Sequence, residues 1–530
     1  MVLWILIACF VMLTVGVGIW GMRKTSTLND FFLGGRTLNP WVAAFSYGTS
    51  YFSAVMFIGF AGKLGWGFGL NVLWISLGNT IFGCLLAWFV LGYRTRRMTQ
   101  NLNVMTMPEF FGCRYEAPGL KILSAIVIFL FLLPYSASVF QGLGYLFQIT
   151  LNIHYETALV FMCVLTAVYL IMGGFHAMTF NDFLLGNIML VGSILMFVIL
   201  TGKVGGVMEA VRTIQANYIP HIKTAPPWYT VAGVVFMTSF GVWGLPQMVQ
   251  KYYAIKDEKQ ILRGAIVSTL FSFIVVFAAY FMGGMTHIFY EPPVKVDSIM
   301  DAQEADSTML AHLGEVQAGK IQSVPAPAVE INGHQKLNKA GNPVIDYDRL
   351  IPDLMKTQLP NVLMSVLVLL VLSASMTTLS SLILVSSSAI AIDLYKEQAQ
   401  LDDSSSKPLI LIRFLSGLFI LISFLIAVLK FDVIVTLMSI SWGAVAGAFM
   451  APYMYGLYWK RTSKAGAWAG MVTGLVVSVG LLFAWGPEHA PLAASLAMVV
   501  PFAVVPVVSL CTSAPSAETI EQAFKPKELD

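Results

Sequence analysis

Between Ser373 and Ser388 the chain reads SASMTTLSSLILVSSS, which places nine hydroxyl side chains in a stretch otherwise made of Leu, Val, Ile, Ala and Met. The run around it, Asn361 to Tyr395, carries no charge before Asp393. Helical spacing brings Ser373, Thr377, Ser380 and Ser381 onto one face, with Thr378 beside them. Two chemistries suit such a face. Small hydroxyl residues let membrane helices approach closely and hydrogen-bond across the interface. A hard monovalent cation such as sodium wants several neutral oxygens, which a hydroxyl pair and the carbonyls of a broken helix supply without a permanent buried charge. Both readings stay open on pattern alone; for Ser386 to Ser388 packing is the expected role.

The partner oxygens must come from an interrupted helix, and the sequence offers two. In FSYGTSYFSAVMFIGFAG, Gly48 sits among Ser46, Thr49, Ser50, Tyr51 and Ser53; in FMTSFGVWGLPQ, Gly241, Gly244 and Pro246 are set to break the backbone ladder. In lipid, freed amides and carbonyls are tolerated only against protein or a water-filled cavity. Two interrupted helices five spans apart point to a midplane binding site between inverted five-helix repeats; kinks that serve packing alone are the alternative.

Composition dictates the setting. Of 530 residues, 57% are hydrophobic and 11% charged, and mean hydropathy is +0.76, which excludes a soluble domain. Apolar spans fall at roughly 3–22, 41–62, 68–93, 120–147, 155–174, 183–202, 229–250, 261–289, 361–392, 409–429, 433–459, 466–485 and 492–511. At about 1.5 Å per residue each can cross a hydrocarbon core of about 30 Å. The expected fold class is all-α, a polytopic membrane protein of about 13 transmembrane helices. A net charge of +3, with no basic block, zinc spacing or phosphate loop, gives no reason to expect a nucleic-acid or nucleotide partner. Membrane lipid and a small-molecule substrate are the expected partners, and the sequence names no partner protein. The five cysteines lack the spacing of a disulfide framework or metal site. Nothing pairs a nucleophile with a base or forms a cofactor loop, so no enzyme is expected.

Topology follows from the basic residues. The first span has no basic flank before it and Arg23 and Lys24 after it, which reads as an anchor with an outward N-terminus. Arg36, Arg94, Arg96, Arg97, Arg114, Lys251, Lys256, Lys259, Arg263, Lys460, Arg461 and Lys464 then fall on one side, which the positive-inside rule makes cytoplasmic. A plasma (inner) membrane protein with its N-terminus outside and C-terminus cytoplasmic is expected. The polar segment 290–358 becomes an extracellular insertion, with short amphipathic helices expected at Asp301 to Val316 and Tyr347 to Leu359. Asn39 with Pro40, and Thr106 with Glu109, read as helix N-caps.

At this point the motifs carry a family resemblance. DFFLGGR, TMPEFF, YLIMGGFHAMTFND, FGVWGLPQ, SMTTLSS with SSSAIAIDLYK, and GLYWKRTSKAGAWAGMVTG stand in the order of the sodium/solute symporter family, the sodium-coupled proline, pantothenate, sialic-acid and sugar transporters, and together span almost the whole chain. The resemblance implies a leucine-transporter-like core: first helix and loop 1–40, first inverted repeat and the first helix of the second at 41–250, a second-repeat helix at 251–289, the insertion at 290–358, remaining core helices at 359–459, two C-terminal helices at 460–512, and a solvated cytoplasmic tail at 513–530. It implies a sodium ion held by Thr49, Phe52, Ala374, Thr377 and Thr378. A second sodium, present in some members, would use Asp182, Ser380 and Ser381, with helix capping as the other reading of Asp182. Candidate substrate contacts are Ser50, Ser53, Tyr135, Ser138, Gln141, Thr238, Ser239, Trp243 and Gln247, each of which could instead bridge helices. Proline-transporting members have Asp where this chain has Tyr51 and Trp where it has Thr238, while Tyr135 is retained. Sugar-transporting members use an acid on the second core helix, and Phe68 to Tyr93 holds none. No basic residue is expected in the cavity.

The function expected is sodium-coupled import of a small polar organic solute by alternating access. A proton-coupled carrier should lack the hydroxyl pair or set a titratable group beside it. A transporter-like sensor should carry a signalling domain, for which the tail is too short.

Overall fold

The computed structural model describes residues 2–24, 28–218, 227–291, 324–328, 330–331, 334–335, 344–396 and 407–526. Among these the chain is helical almost throughout. In order, the helices are α1 Val2–Lys24, α2 Leu28–Leu33, α3 Pro40–Tyr51, α4 Ala61–Phe68, α5 Leu73–Gly78, α6 Tyr93–Asn101, α7 Met107–Arg114, α8 Pro118–Leu151, α9 Tyr155–Lys203, α10 Val207–Tyr218, α11 Trp228–Phe240, α12 Pro246–Tyr253 and α13 Ile261–Phe289. After the insertion come α14 Tyr347–Gln358, α15 Asn361–Ile390, α16 Lys407–Leu429, α17 Ile434–Tyr458, α18 Lys464–Trp485, α19 Ala490–Cys511 and α20 Ala517–Ala523. Wider π-helical turns, Val55–Phe60, Asn79–Leu86 and Trp88–Gly92, join the pieces between α3 and α6.

Eleven helices among the described residues are long and apolar enough to cross a membrane. The remaining two expected spans correspond to shorter pieces, the half-helix α3 and the stretch Tyr155–Ile171. Helices α15 and α17 run through the centre and are almost wholly buried, whereas α1, α16, α18 and α19 turn Trp4, Phe414, Phe483 and Val507 outward. Such apolar side chains on the rim face lipid, where burial against protein brings no hydrophobic gain.

The breaks are where the backbone chemistry is concentrated. Helix α3 starts on the expected cap, Asn39 Oδ1 accepting from Trp41 N at 3.0 Å with Pro40 in the first turn. It ends four residues later than expected: Gly48 stays helical, and the chain turns extended at Phe52 (φ −109°, ψ 103°). Gly48 serves packing, since a Cβ there would lie 2.5 Å from Phe271 Cδ1. The second break follows expectation. Helix α11 stops at Phe240, Gly241–Trp243 tightens to a 3₁₀ turn, Leu245 is extended, and Pro246 opens α12.

At 49 residues, α9 would be about 70 Å long if straight, more than twice the hydrocarbon thickness. Gly174, at φ +56°, divides it, and Phe31 fills the space a side chain would need, 2.6 Å from a Cβ built there. Asp182 therefore stands two turns inside the second half. Its capping alternative does not hold.

The ends of the bundle differ. At one end, Tyr290–Glu291 pairs with Val324–Pro325, Glu330–Ile331 pairs with His334–Gln335, and α14 lies across the helix ends as expected for 347–359. The other expected insertion helix, Asp301 to Val316, lies outside the described residues. At the opposite end, Thr106 and Glu109 form the expected capping box. Basic side chains are anchored there on carbonyls: Arg36 donates to Val104 O at 2.7 Å, Arg96 to Ile255 O at 2.5 Å and Arg114 to Gly456 O at 3.0 Å. The tail, expected to be solvated, instead packs against this end of the bundle as far as it is described. Asn101 Nδ2 donates to Ala523 O at 3.2 Å and Lys525 O at 3.0 Å, Thr519 donates to Glu116 at 2.6 Å, and the Arg114 guanidinium stacks on Phe524.

Candidate functional site

The turn at Phe52 ends the i to i+4 ladder of α3, so the carbonyls of Thr49 and Ser50 come free inside the bundle. Helix α15 passes alongside and answers them. Thr377 Oγ1 lies 3.0 Å from Thr49 O, 3.1 Å from Ser373 O and 3.1 Å from Ala374 O. Thr378 Oγ1 lies 3.4 Å from Thr49 O and 3.3 Å from Ser50 O. Both threonines are fully buried. Thr49, Ala374, Thr377 and Thr378 are thus brought together, and Phe52 forms the turn that makes this possible.

The proton count of this cluster matters. Two hydroxyls and the helical N–H groups of Thr377 and Thr378 bring four donors to four carbonyls, each with two lone pairs. The surplus of neutral oxygen suits a hard cation of low charge and fits a sodium ion.

One turn further along α15 the arrangement changes. Ser380 turns to Thr377 O at 2.9 Å, and Ser381 Oγ lies 2.8 Å from Ser50 Oγ. Asp182 accepts from Ser46 at 2.5 Å. Between them stands a residue that loop counting assigned to the cytoplasmic surface. Lys251, in the last turn of α12, is fully buried, with Nζ 3.6 Å from Asp182 Oδ2 and 3.3 Å from Ser381 Oγ. The expected place of Lys251 among the cytoplasmic loop residues is corrected here. The α12 sequence PQMVQKYY held a signal: Lys251 follows Gln247 by four residues and shares its face.

The expected substrate residues divide into groups. Near the first break, the Tyr51 ring stacks on Phe52 (4.2 Å between centroids) and on Trp442 (6.3 Å), and Tyr135 meets Trp442 edge-on at 5.9 Å. Ser53 accepts from Val55 N, and the Tyr135 hydroxyl faces Ser53. Tyr51 donates to Thr238 O at 2.5 Å, which ties the two broken helices together. Ser53 and Tyr135 therefore meet at one locus beside the break, whereas Thr238 spends its hydroxyl on Val234 O of its own helix at 2.8 Å and Ser50 turns its hydroxyl to Ser381. Gln247 is buried in the first turn of α12 and its Oε1 has no partner among the described residues.

Others point elsewhere. Ser138 spends its hydroxyl on Tyr135 O of its own helix at 2.7 Å. Ser239 reaches Asn79 at 3.3 Å and Trp243 donates to Phe82 O at 3.0 Å, both toward the third span. Gln141 donates to Asp432 O at 3.1 Å and lines a cavity of about 760 Å³ at the insertion end, with Lys63, Asp348, Arg349, Lys430 and Glu488. Trp442, which sequence reasoning missed, stands on α17 against Tyr51, Tyr135 and Gly241; its only signal was a lone aromatic in SWGAVAGA.

The sequence profile of the sodium:solute symporter family matches residues 31–474. The chain belongs to that family. It is 28% identical over 467 residues to the osmoregulated proline transporter OpuE of Bacillus subtilis (strain 168), covering 86% of this chain and 84% of that protein. It is 28% identical over 482 residues to the sodium/proline symporter of Escherichia coli (strain K12), covering 90% and 86%. A solved Na⁺-coupled sialic acid symporter, in a substrate-bound outward-open state, matches with a TM-score of 0.72 at 16% identity over 97% of this chain and 98% of that one. That likeness carries the fold, which is the leucine-transporter type of core. The protein is a multi-pass membrane symporter that couples a solute to sodium.

Proposed function

We propose that this chain imports a small polar organic solute, with sodium held by the carbonyls of Thr49, Phe52 and Ala374 and the hydroxyls of Thr377 and Thr378. The observation that carries this reading is the meeting of two buried hydroxyls on α15 with the carbonyls freed at the α3 break, Thr377 Oγ1 to Thr49 O being 3.0 Å. The substrate locus would be the adjoining space between the breaks, with Ser50, Ser53, Tyr135, Thr238 and Gln247 as contacts. The relatives named above are proline transporters, but Tyr51 and Thr238 depart from the proline-type pattern. We therefore assign the broader class of solute.

No covalent chemistry is involved. Sodium arriving from the insertion side would tie α3 to α15 and favour the outward-open state, and solute binding would then draw α11 and α3 together. Loss of the ion on the other side would release both. The driving force is adequate: each charge moved gains about 2.3 kcal/mol per 100 mV, and each tenfold sodium gradient about 1.4 kcal/mol. The basic residues gathered at the end bearing α20 support a cytoplasmic C-terminus, an outward N-terminus and an extracellular insertion in the plasma (inner) membrane. Inverted repeats running from α3 into the second half of α9, and from α11 to α17, accord with this arrangement.

The test is thermal stability of purified protein in sodium against potassium or choline at equal ionic strength. Wild type should gain a sodium-specific rise in Tm that Thr377→Ala/Thr378→Ala loses. No preference for sodium in wild type would sink the assignment.

A further inference from the structure

The carboxylate expected to hold a second sodium ion already has a cation. Lys251 Nζ lies 3.6 Å from Asp182 Oδ2 and 3.3 Å from Ser381 Oγ, with the Phe175 ring centroid at 5.6 Å. Both side chains of the ion pair are at most 1% exposed. The surrounding hydroxyls complete the set. Ser46 donates to Asp182, and Ser381 links the ammonium to Ser50 on α3. Ser380, the third expected ligand, is engaged with Thr377 O. One ammonium thus joins α9, α12 and α15 directly and α3 through serine.

This geometry does not fit an additional ion. A sodium ion bound by Asp182 and Ser381 would share both ligands with the ammonium and stand within a few ångströms of a like charge, in a site where screening by water is weak. The negative charge that would attract it is already compensated. We propose that Lys251 is a tethered counter-cation that takes the place of a second sodium ion, so that this symporter binds one sodium ion, at the Thr377/Thr378 cluster. A mobile ion at this place would have to be released and replaced in every cycle. The lysine stays with α12, the half-helix that follows the second break. It neutralises Asp182 without adding to the charge carried across the membrane.

The inference rests on the sodium reading of the Thr377/Thr378 cluster, and equilibrium binding of ²²Na⁺ to purified full-length protein separates the two. At about pH 8, wild type should bind about one sodium per chain, lost in Thr377→Ala/Thr378→Ala. Lys251→Met keeps the length of the side chain and removes its charge. It should raise the count to about two, and Asp182→Asn added to it should return the count to about one. Two ions in wild type, or one in Lys251→Met, would overturn the tethered-cation proposal while leaving the threonine cluster standing. No bound sodium in wild type would overturn both. If Lys251→Met does not fold, the wild-type count still decides.

Discussion

Two polar clusters lie about one helical turn apart along α15, and they solve the problem of polarity in a membrane interior in opposite ways. Around Thr377 and Thr378 every polar side-chain atom and every carbonyl met is a neutral oxygen, and oxygen exceeds hydrogen-bond donors. Around Ser381 a carboxylate meets an ammonium and the charges cancel within the protein. The first cluster is suited to an ion that comes and goes; the second needs none. Neighbouring hydroxyls on one helix face therefore do not imply neighbouring ion sites: what decides is the charge that other helices bring to them.

The strongest way to test this contrast is to unbalance the charged cluster. Asp182→Asn should destabilise the protein by about 3–5 kcal/mol, because it leaves a buried ammonium uncompensated, whereas Asp182→Asn/Lys251→Met should recover most of the loss. Unfolding in detergent measures both, and a double variant no better than the single one would break the contrast. In the neutral cluster, Thr378→Val removes one oxygen and keeps the shape. It should raise the sodium concentration for half-maximal uptake by more than about tenfold, or about 1.4 kcal/mol, and an unchanged value would remove Thr378 from the site.

A second buried carboxylate sharpens the comparison. Asp348 on α14 accepts from Ile434 N at the start of α17 at 3.2 Å. Burial, and next the neighbouring Asp346, push its carboxyl up to about 7, while the Ile434 N–H and Lys63 pull down and Asp432 adds to the rise. Arg349, Lys430 and Glu488 line the same cavity. Because the folded-state pKa is raised from the ordinary 3.8, docking of α14 gains stability that is fully present below pH 3.8 and is lost as pH rises through about 7. Hydrogen exchange of the α14 amides should accordingly be slower, by up to about a hundredfold after correction for intrinsic rates, at pH 5 than at pH 8, and Asp348→Asn should abolish the difference. A pH-independent protection factor in wild type would show that Asp348 is held as an ion. The smallest effect is expected from Tyr51→Phe, which takes away the bond to Thr238 O and touches neither cluster. A cost of about 1 kcal/mol in stability is expected, with sodium dependence retained; a change in sodium affinity would show that the two breaks and the ion cluster act as one unit.

Much of this molecule was legible in its sequence because the bilayer leaves few choices. Backbone polar groups must be satisfied within each span, so apolar runs become helices and the rare irregular stretches stand out as sites. The hydroxyl face of α15, the break at Gly241–Pro246, the caps at Asn39 and Thr106 and the helix at Tyr347 could all be read from spacing and residue type. What could not be read depended on where separate helices end up. Gly48 looked like the first break, but Phe271 packs against it and the turn falls at Phe52. Gln141 and Trp243 looked like equal partners in one cavity and face opposite neighbours. Lys251 looked like one more basic residue beside a loop. The sequence by itself determined the helices, their polar faces and the family. Only the tertiary structure decided that Lys251 points inward at Asp182, because a buried charge is stable only against a partner, and that partner lies 69 positions away in the chain on another helix.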